Sequence, residues 1–134
     1  MVTGPVTVEL YAASNAEDTD FTAKLVDVEP GGFCANVAEG IVRARYREPG
    51  PERWLRPGEV ERFLIDLWDT AYSFAPGHRL RLEISSSSFP HFDRNLNGRV
   101  RPELGSAADA RPAVQTVQHS DLHPSALRLA VPER

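Results

Sequence analysis

The chain carries one cysteine, Cys34, and one lysine, Lys24, in 134 residues. A lone cysteine excludes an internal disulfide and leaves the redox compartment open. With no assignable histidine partner it reads as a buried or half-buried thiol, not a nucleophile. Apart from Lys24 the fifteen cationic residues are all arginine, a bias that genome base composition explains as well as phosphate binding would. The net charge of −4 argues against non-specific nucleic-acid binding, which depends on neutralising phosphates. No apolar run is long enough to span a bilayer, and the N-terminus lacks the charged-then-apolar order of a leader. The expectation is therefore no nucleic-acid partner, no membrane partner, and the cytoplasm as the favoured location.

Long helical periodicity is scarce too. Seven segments carry strand-like patterning instead: residues 6–12, 21–28, 41–46, 60–68, 78–85, 114–119 and 126–131. The clearest is 78–85, where Leu80, Leu82 and Ile84 alternate with Arg79, Arg81 and Glu83, the period of a strand with one face in a core. In 41–46 the same rule sets Val42, Ala44 and Tyr46 against Arg43 and Arg45. Only two short stretches suggest helix, 34–39 and 102–110. Eleven prolines and nine glycines between short alternating segments fit a β-sandwich or jelly roll, and there is no room for the crossover helices of a parallel sheet. The predicted fold class is all-β, in one domain.

No catalytic constellation emerges. Gly-x-Ser-x-Gly, which an α/β-hydrolase nucleophile needs for its cramped turn, is absent, and Ser85 to Ser88 read as a polar strand end. Asp93-Arg94-Asn95-Leu96-Asn97-Gly98 resembles the opening of a calcium loop. The position that should hold a bidentate Glu is Leu104, however, and Arg99 and Arg101 bring positive charge. An Asx-stabilised turn accounts for it better. Asp18-Thr19-Asp20 resembles an acidic pair used for divalent metals on sugar nucleotides, and a turn before the strand at Phe21 explains it equally well. His119 and His123 have ligand spacing, but Pro124 follows at once and no Glu intervenes. His78 and His91 show no obvious partner. Of the aromatics Tyr11, Trp54, Trp68, Tyr72 and Phe92, only Trp54, in the loop over 48–58, is placed to be a sugar platform. No metal and no cofactor are expected.

Several short motifs fall in a recognisable order: Gly4-Pro5-Val6, Asp18-Thr19-Asp20-Phe21, Ala23-Lys24-Leu25-Val26-Asp27-Val28, Glu39-Gly40-Ile41-Val42-Arg43-Ala44-Arg45-Tyr46, Pro57-Gly58-Glu59, Ala75-Pro76-Gly77-His78-Arg79-Leu80-Arg81, Ser87-Ser88-Phe89-Pro90, Phe92-Asp93-Arg94-Asn95 and His123-Pro124-Ser125. Over nearly the whole chain they resemble the C-terminal domain of the family of cocaine esterase, X-prolyl dipeptidyl-peptidase and α-amino-acid ester hydrolase. The resemblance implies a jelly-roll sandwich similar to galactose-binding modules, following an α/β-hydrolase domain that holds the Ser-His-Asp triad. No triad position maps here, so no residue of this chain is expected to be catalytic.

The resemblance also implies that the chain opens at the second or third strand of the domain, as a truncated product or an excised fragment would. A sheet edge left unpaired in that way would favour a homodimer. The expected role is an accessory domain packed on the α/β-hydrolase catalytic domain of a parent acting on esters or Xaa-Pro peptides. The expected interface is Phe89, Pro90, Phe92, Asp93, Arg94 and Asn95, with bracing of that loop against its own sandwich as the competing role. The alternative from a different class is a carbohydrate-binding module, resting on fold analogy alone.

Overall fold

The computed structural model describes residues 1–132. Among these residues nine strands run in chain order: β1 (Val2–Ser14), β2 (Asp20–Val28), β3 (Cys34–Arg43), β4 (Glu61–Tyr72), β5 (Arg79–Ser85), β6 (Gln115–Val117), β7 (His119–Ser120), β8 (His123–Pro124) and β9 (Ala126–Leu129). The helical segments among the described residues are three short 3-10 turns, Ala44–Tyr46, Pro102–Leu104 and Ala107–Asp109. In one sheet β1 is central, with β4 on one edge and β6 and β9 sharing the other; in the second, β2 lies between β3 and β5. Every pairing within these sheets is antiparallel. The fold is an all-β sandwich.

Its core follows from the two-residue period. Val6, Val8, Leu10 and Ala12 of β1 and Phe63, Ile65 and Leu67 of β4 point inward from the first sheet. Phe21, Ala23 and Leu25 of β2 meet them from the second, with the rings of Phe21 and Phe63 tilted at a 4.7 Å centroid distance. Strand β2 is buried on both faces except at Lys24; Phe21, Ala23 and Leu25 alternate with Asp20, Thr22 and Lys24 along it, and its central place in the sheet buries the polar Asp20 and Thr22 as well.

The two long sides of the sandwich differ. On one, β3 and β4 meet across the gap between the sheets: a Cβ placed on Gly40 would lie 1.9 Å from the Asp66 carbonyl oxygen. Only glycine permits that approach. Nearby, β4 sets Leu67 and Trp68 opposite the single Val6, since Pro5 pairs with Asp69 and Thr7 with Asp66. This bulge puts Trp68 at φ 65°, and its N–H donates to the Asp66 carboxylate at 2.8 Å. On the other side, β5 faces β6 and β9 with no strand between them. Leu82, Ile84, Val117 and Leu127 are only half-buried there, and Leu80 is exposed.

The sandwich differs from the sequence reading in specific places. Residues 34–39, expected as a helix, open β3; β3 is a sheet edge, so it lacks a clean buried face, its alternation is blurred, and Cys34, expected to be buried or half-buried, is exposed at its start. The strand expected over 41–46 is the end of β3 followed by a 3-10 turn that buries Ala44 and Arg45. The helix expected over 102–110 is reduced to two 3-10 turns separated by Gly105.

Candidate functional site

Three separate stretches of the chain converge on one polar cluster at the start of β2. Asp18 and Asp20, two residues apart and both essentially inaccessible to solvent, face Arg45 and Arg43, also two residues apart. Antiparallel pairing sets Asp20 directly opposite Arg43, which donates from Nε and Nη2 to the two carboxylate oxygens at 3.0 and 3.1 Å. Asp18 accepts from the backbone N–H of Arg45 at 3.0 Å and from its Nε at 2.8 Å. Asn95 closes the cluster: its Nδ2 donates to Asp18 Oδ2 at 2.7 Å and to Asp20 Oδ1 at 2.8 Å. Only the nitrogen of an amide can face two carboxylates, so the orientation of Asn95 is fixed chemically. Burial pushes the Asp18 carboxyl above its ordinary range, against the opposing pull of Asn95 and Arg45. The Asp20 carboxylate raises the Arg43 guanidinium further.

This cluster anchors the loop that leaves β5. Beyond Asn95 the side-chain oxygen of the same residue accepts the N–H of Asn97 at 2.9 Å, an Asx turn with Asn97 at φ 58°. Before it, Phe92 is half-buried and stacks on His91 at 4.6 Å, and His91 Nδ1 lies 2.9 Å from Glu39 of β3. Phe89 is 59% exposed, joined to Pro90 by a cis peptide bond, and the Arg94 guanidinium lies 4.6 Å from the centre of its ring. Asp93, Arg94, Asn95 and Leu96 form one wall of an open groove of about 530 Å³, and the segment from Pro102 to Ala110 forms the other. Of the six residues singled out in sequence, Asn95 is turned into the domain, Phe92 is half in, and Phe89, Pro90, Asp93 and Arg94 are at the surface.

The family model described as the X-Pro dipeptidyl-peptidase C-terminal non-catalytic domain matches residues 1–128. The chain belongs to this family. It is 42% identical over 134 residues to the cocaine esterase of Rhodococcus sp. (strain MB1 Bresler), covering 99% of this chain and 23% of the esterase. An aminopeptidase from a marine-sediment Thaumarchaeota archaeon superposes with a TM-score of 0.92 at 29% identity, over 98% of this chain and 23% of the aminopeptidase. An α-amino-acid ester hydrolase gives 0.90 at 30% identity, over 98% and 24%. The chain thus spans about a quarter of the length of the proteins it matches.

Membership in a non-catalytic domain family agrees with how the remaining candidates are engaged. Ser85 exchanges hydrogen bonds with the backbone of Ser87 at 3.2 and 3.4 Å. His78, for which the sequence offered no partner, sits 3.0 Å from both oxygens of Asp27, and Tyr72 donates to the same carboxylate at 2.8 Å. His119 and His123 fall on the two arms of the small β7–β8 hairpin, opposite Pro124 and Ser120. Among the described residues no three His, Cys, Asp or Glu side chains gather as a metal site, and no helix is long and apolar enough to cross a membrane. Trp54 is half-buried, with the guanidinium groups of Arg45 and Arg99 at 4.9 and 5.4 Å from its ring centre.

Sequence reasoning missed Arg43 and Arg45, read there as a solvated face. The signal was present in the matched spacing, two acids against two arginines, but the strand pairing that joins them was not.

Proposed function

We propose that this domain is an accessory element of a serine hydrolase acting on esters or Xaa-Pro peptides, and that it packs on and stabilises the α/β-hydrolase catalytic domain of its parent. The observation that carries this reading is Phe89: a large aromatic held at the surface, capped by Arg94, on a loop pinned through Asn95 to two buried carboxylates. An exposed aromatic whose backbone is already fixed costs little ordering entropy on docking, and aromatic and arginine side chains dominate interface energetics. Pro90, Phe92 and Asp93 extend the same surface toward the groove. Membership in the family of non-catalytic C-terminal domains supports the reading.

The test is Phe89→Ser, made in this chain and at the matching position of a full-length relative. In the isolated domain the melting temperature should hold within about 2 °C, since an exposed substitution away from the core changes stability by roughly 0.5 kcal/mol or less. In the full-length enzyme it should lower the temperature of inactivation. An unaffected full-length enzyme would remove Phe89 from the interface. No feature of the site favours the carbohydrate-module alternative, and a glycan array without binding would discard it.

A further inference from the structure

We propose that Trp68, on the bulge of β4, is a docking residue in its own right, received by an apolar pocket with a basic rim on the α/β-hydrolase domain of the same polypeptide. This rests on the accessory-domain reading and adds to it a second contact, outside the loop that carries Phe89.

Three observations lead to it. First, Trp68 sits at φ 65°, a left-handed backbone that glycine adopts freely and bulky side chains avoid. Among the described residues the only other non-glycine at positive φ is Asn97, and asparagine is the type that tolerates it. Secondly, the domain gains little burial from the indole, which is 72% exposed. A strained backbone persists only where its surroundings impose it. Here they do: the Trp68 N–H donates to the Asp66 carboxylate at 2.8 Å, and the Asp66 carbonyl lies against Gly40. Bulges re-aim side chains. The strain fixes the direction of the ring, and that direction is away from the domain's own core.

Thirdly, the position belongs with the Phe89 loop. Gly40, which holds the bulge, follows Glu39, whose carboxylate lies 2.9 Å from His91 in that loop. The two exposed aromatics are thus tied to adjacent residues of one edge strand, and one rigid partner can meet both. Leu64, 53% exposed, adds apolar area to the same strand as Trp68. The exposed carboxylates of Asp66 and Asp69 flank the tryptophan in sequence, which is why the receiving pocket carries a basic rim. Tryptophan is among the residues that dominate an interface once a pocket desolvates them.

Hydroxyl-radical footprinting, read residue by residue by mass spectrometry, tests this. Trp68 of this chain should oxidise readily; the matching tryptophan of a full-length family member that has one should oxidise about tenfold more slowly, as a desolvated anchor would. Equal oxidation in the two would overturn the proposal and leave the ring to a separate molecule or to none. Substitution provides the second arm. Trp68→Gly in this chain should melt no lower than the wild type, because glycine relieves the strained backbone and little burial is lost. In the full-length protein the same change should lower the temperature of inactivation by several degrees and speed release of the C-terminal domain under limited proteolysis. A variant chain that melts several degrees low would overturn the proposal by making Trp68 part of the domain's own packing. If Phe89→Ser weakens the full-length protein while Trp68→Gly does not, the second contact falls and the accessory-domain reading stands; if neither does, both fall.

Discussion

Asp18 has no contact with solvent, and its charge is held by one guanidinium, one amide and one backbone N–H. Removing one member of such a buried pair leaves the other charged, buried and unpaired, which costs about 3–5 kcal/mol. Asp18→Ala should therefore lose about that much in urea unfolding, and pairing it with Arg45→Met should recover some of the loss. Glu9 presents the opposite case on the outer face of the first sheet. It accepts from Arg128 at 2.5 Å and Arg62 at 2.6 Å, and these arginines, Arg128 foremost, hold its carboxyl below the usual range. The unfolded chain takes up that proton first, near pH 4.3, so the contribution of Glu9 is complete above that pH and fades as pH falls through the lower folded value. Melting curves of wild type and Glu9→Gln should differ at neutral pH and converge in acid.

At the scale of elements, β3 and β4 depend on one glycine. Gly40→Ala drives a methyl into the Asp66 carbonyl, and the overpacking should cost about 1–3 kcal/mol, read from the same unfolding curves. The loop after β5 depends on one amide: Asn95→Ala should raise hydrogen exchange and protease cleavage over residues 89–97 while the protection of β1 and β2 stays unchanged. These elements were unequally legible beforehand. Strand β5 could be read because one face is apolar and the other charged, and β2 because Phe21, Ala23 and Leu25 recur at every second position. Strand β3 could not, since an edge strand half-exposed on both sides has no period to show. The burial of Arg45 was hidden for another reason. Charge alone places a residue outside, and the partner that reverses this, Asp18, is 27 positions away, joined by a strand pairing that composition does not encode. The 89–97 loop was recognisable from its motif, whereas its division into an inward anchor at Asn95 and an outward aromatic at Phe89 appeared only with the fold.

Across the whole molecule, the interior is continuous from Val2 to Leu67 but unevenly enclosed. Where β3 crosses β4 the sheets touch backbone to backbone; where β5 faces β9 they stand apart around half-filled hollows. Local openings start where few apolar contacts must be broken. Amide exchange should accordingly be fastest in β5 and β9, slower in β4, and slowest in β1 and β2. The contact at Gly40 then acts as a spine and the β5–β9 side as the fore-edge of a book. Pulled from residues on the fore-edge, the two sheets should separate strand by strand at low force; pulled across the spine, they should hold until the whole domain gives way.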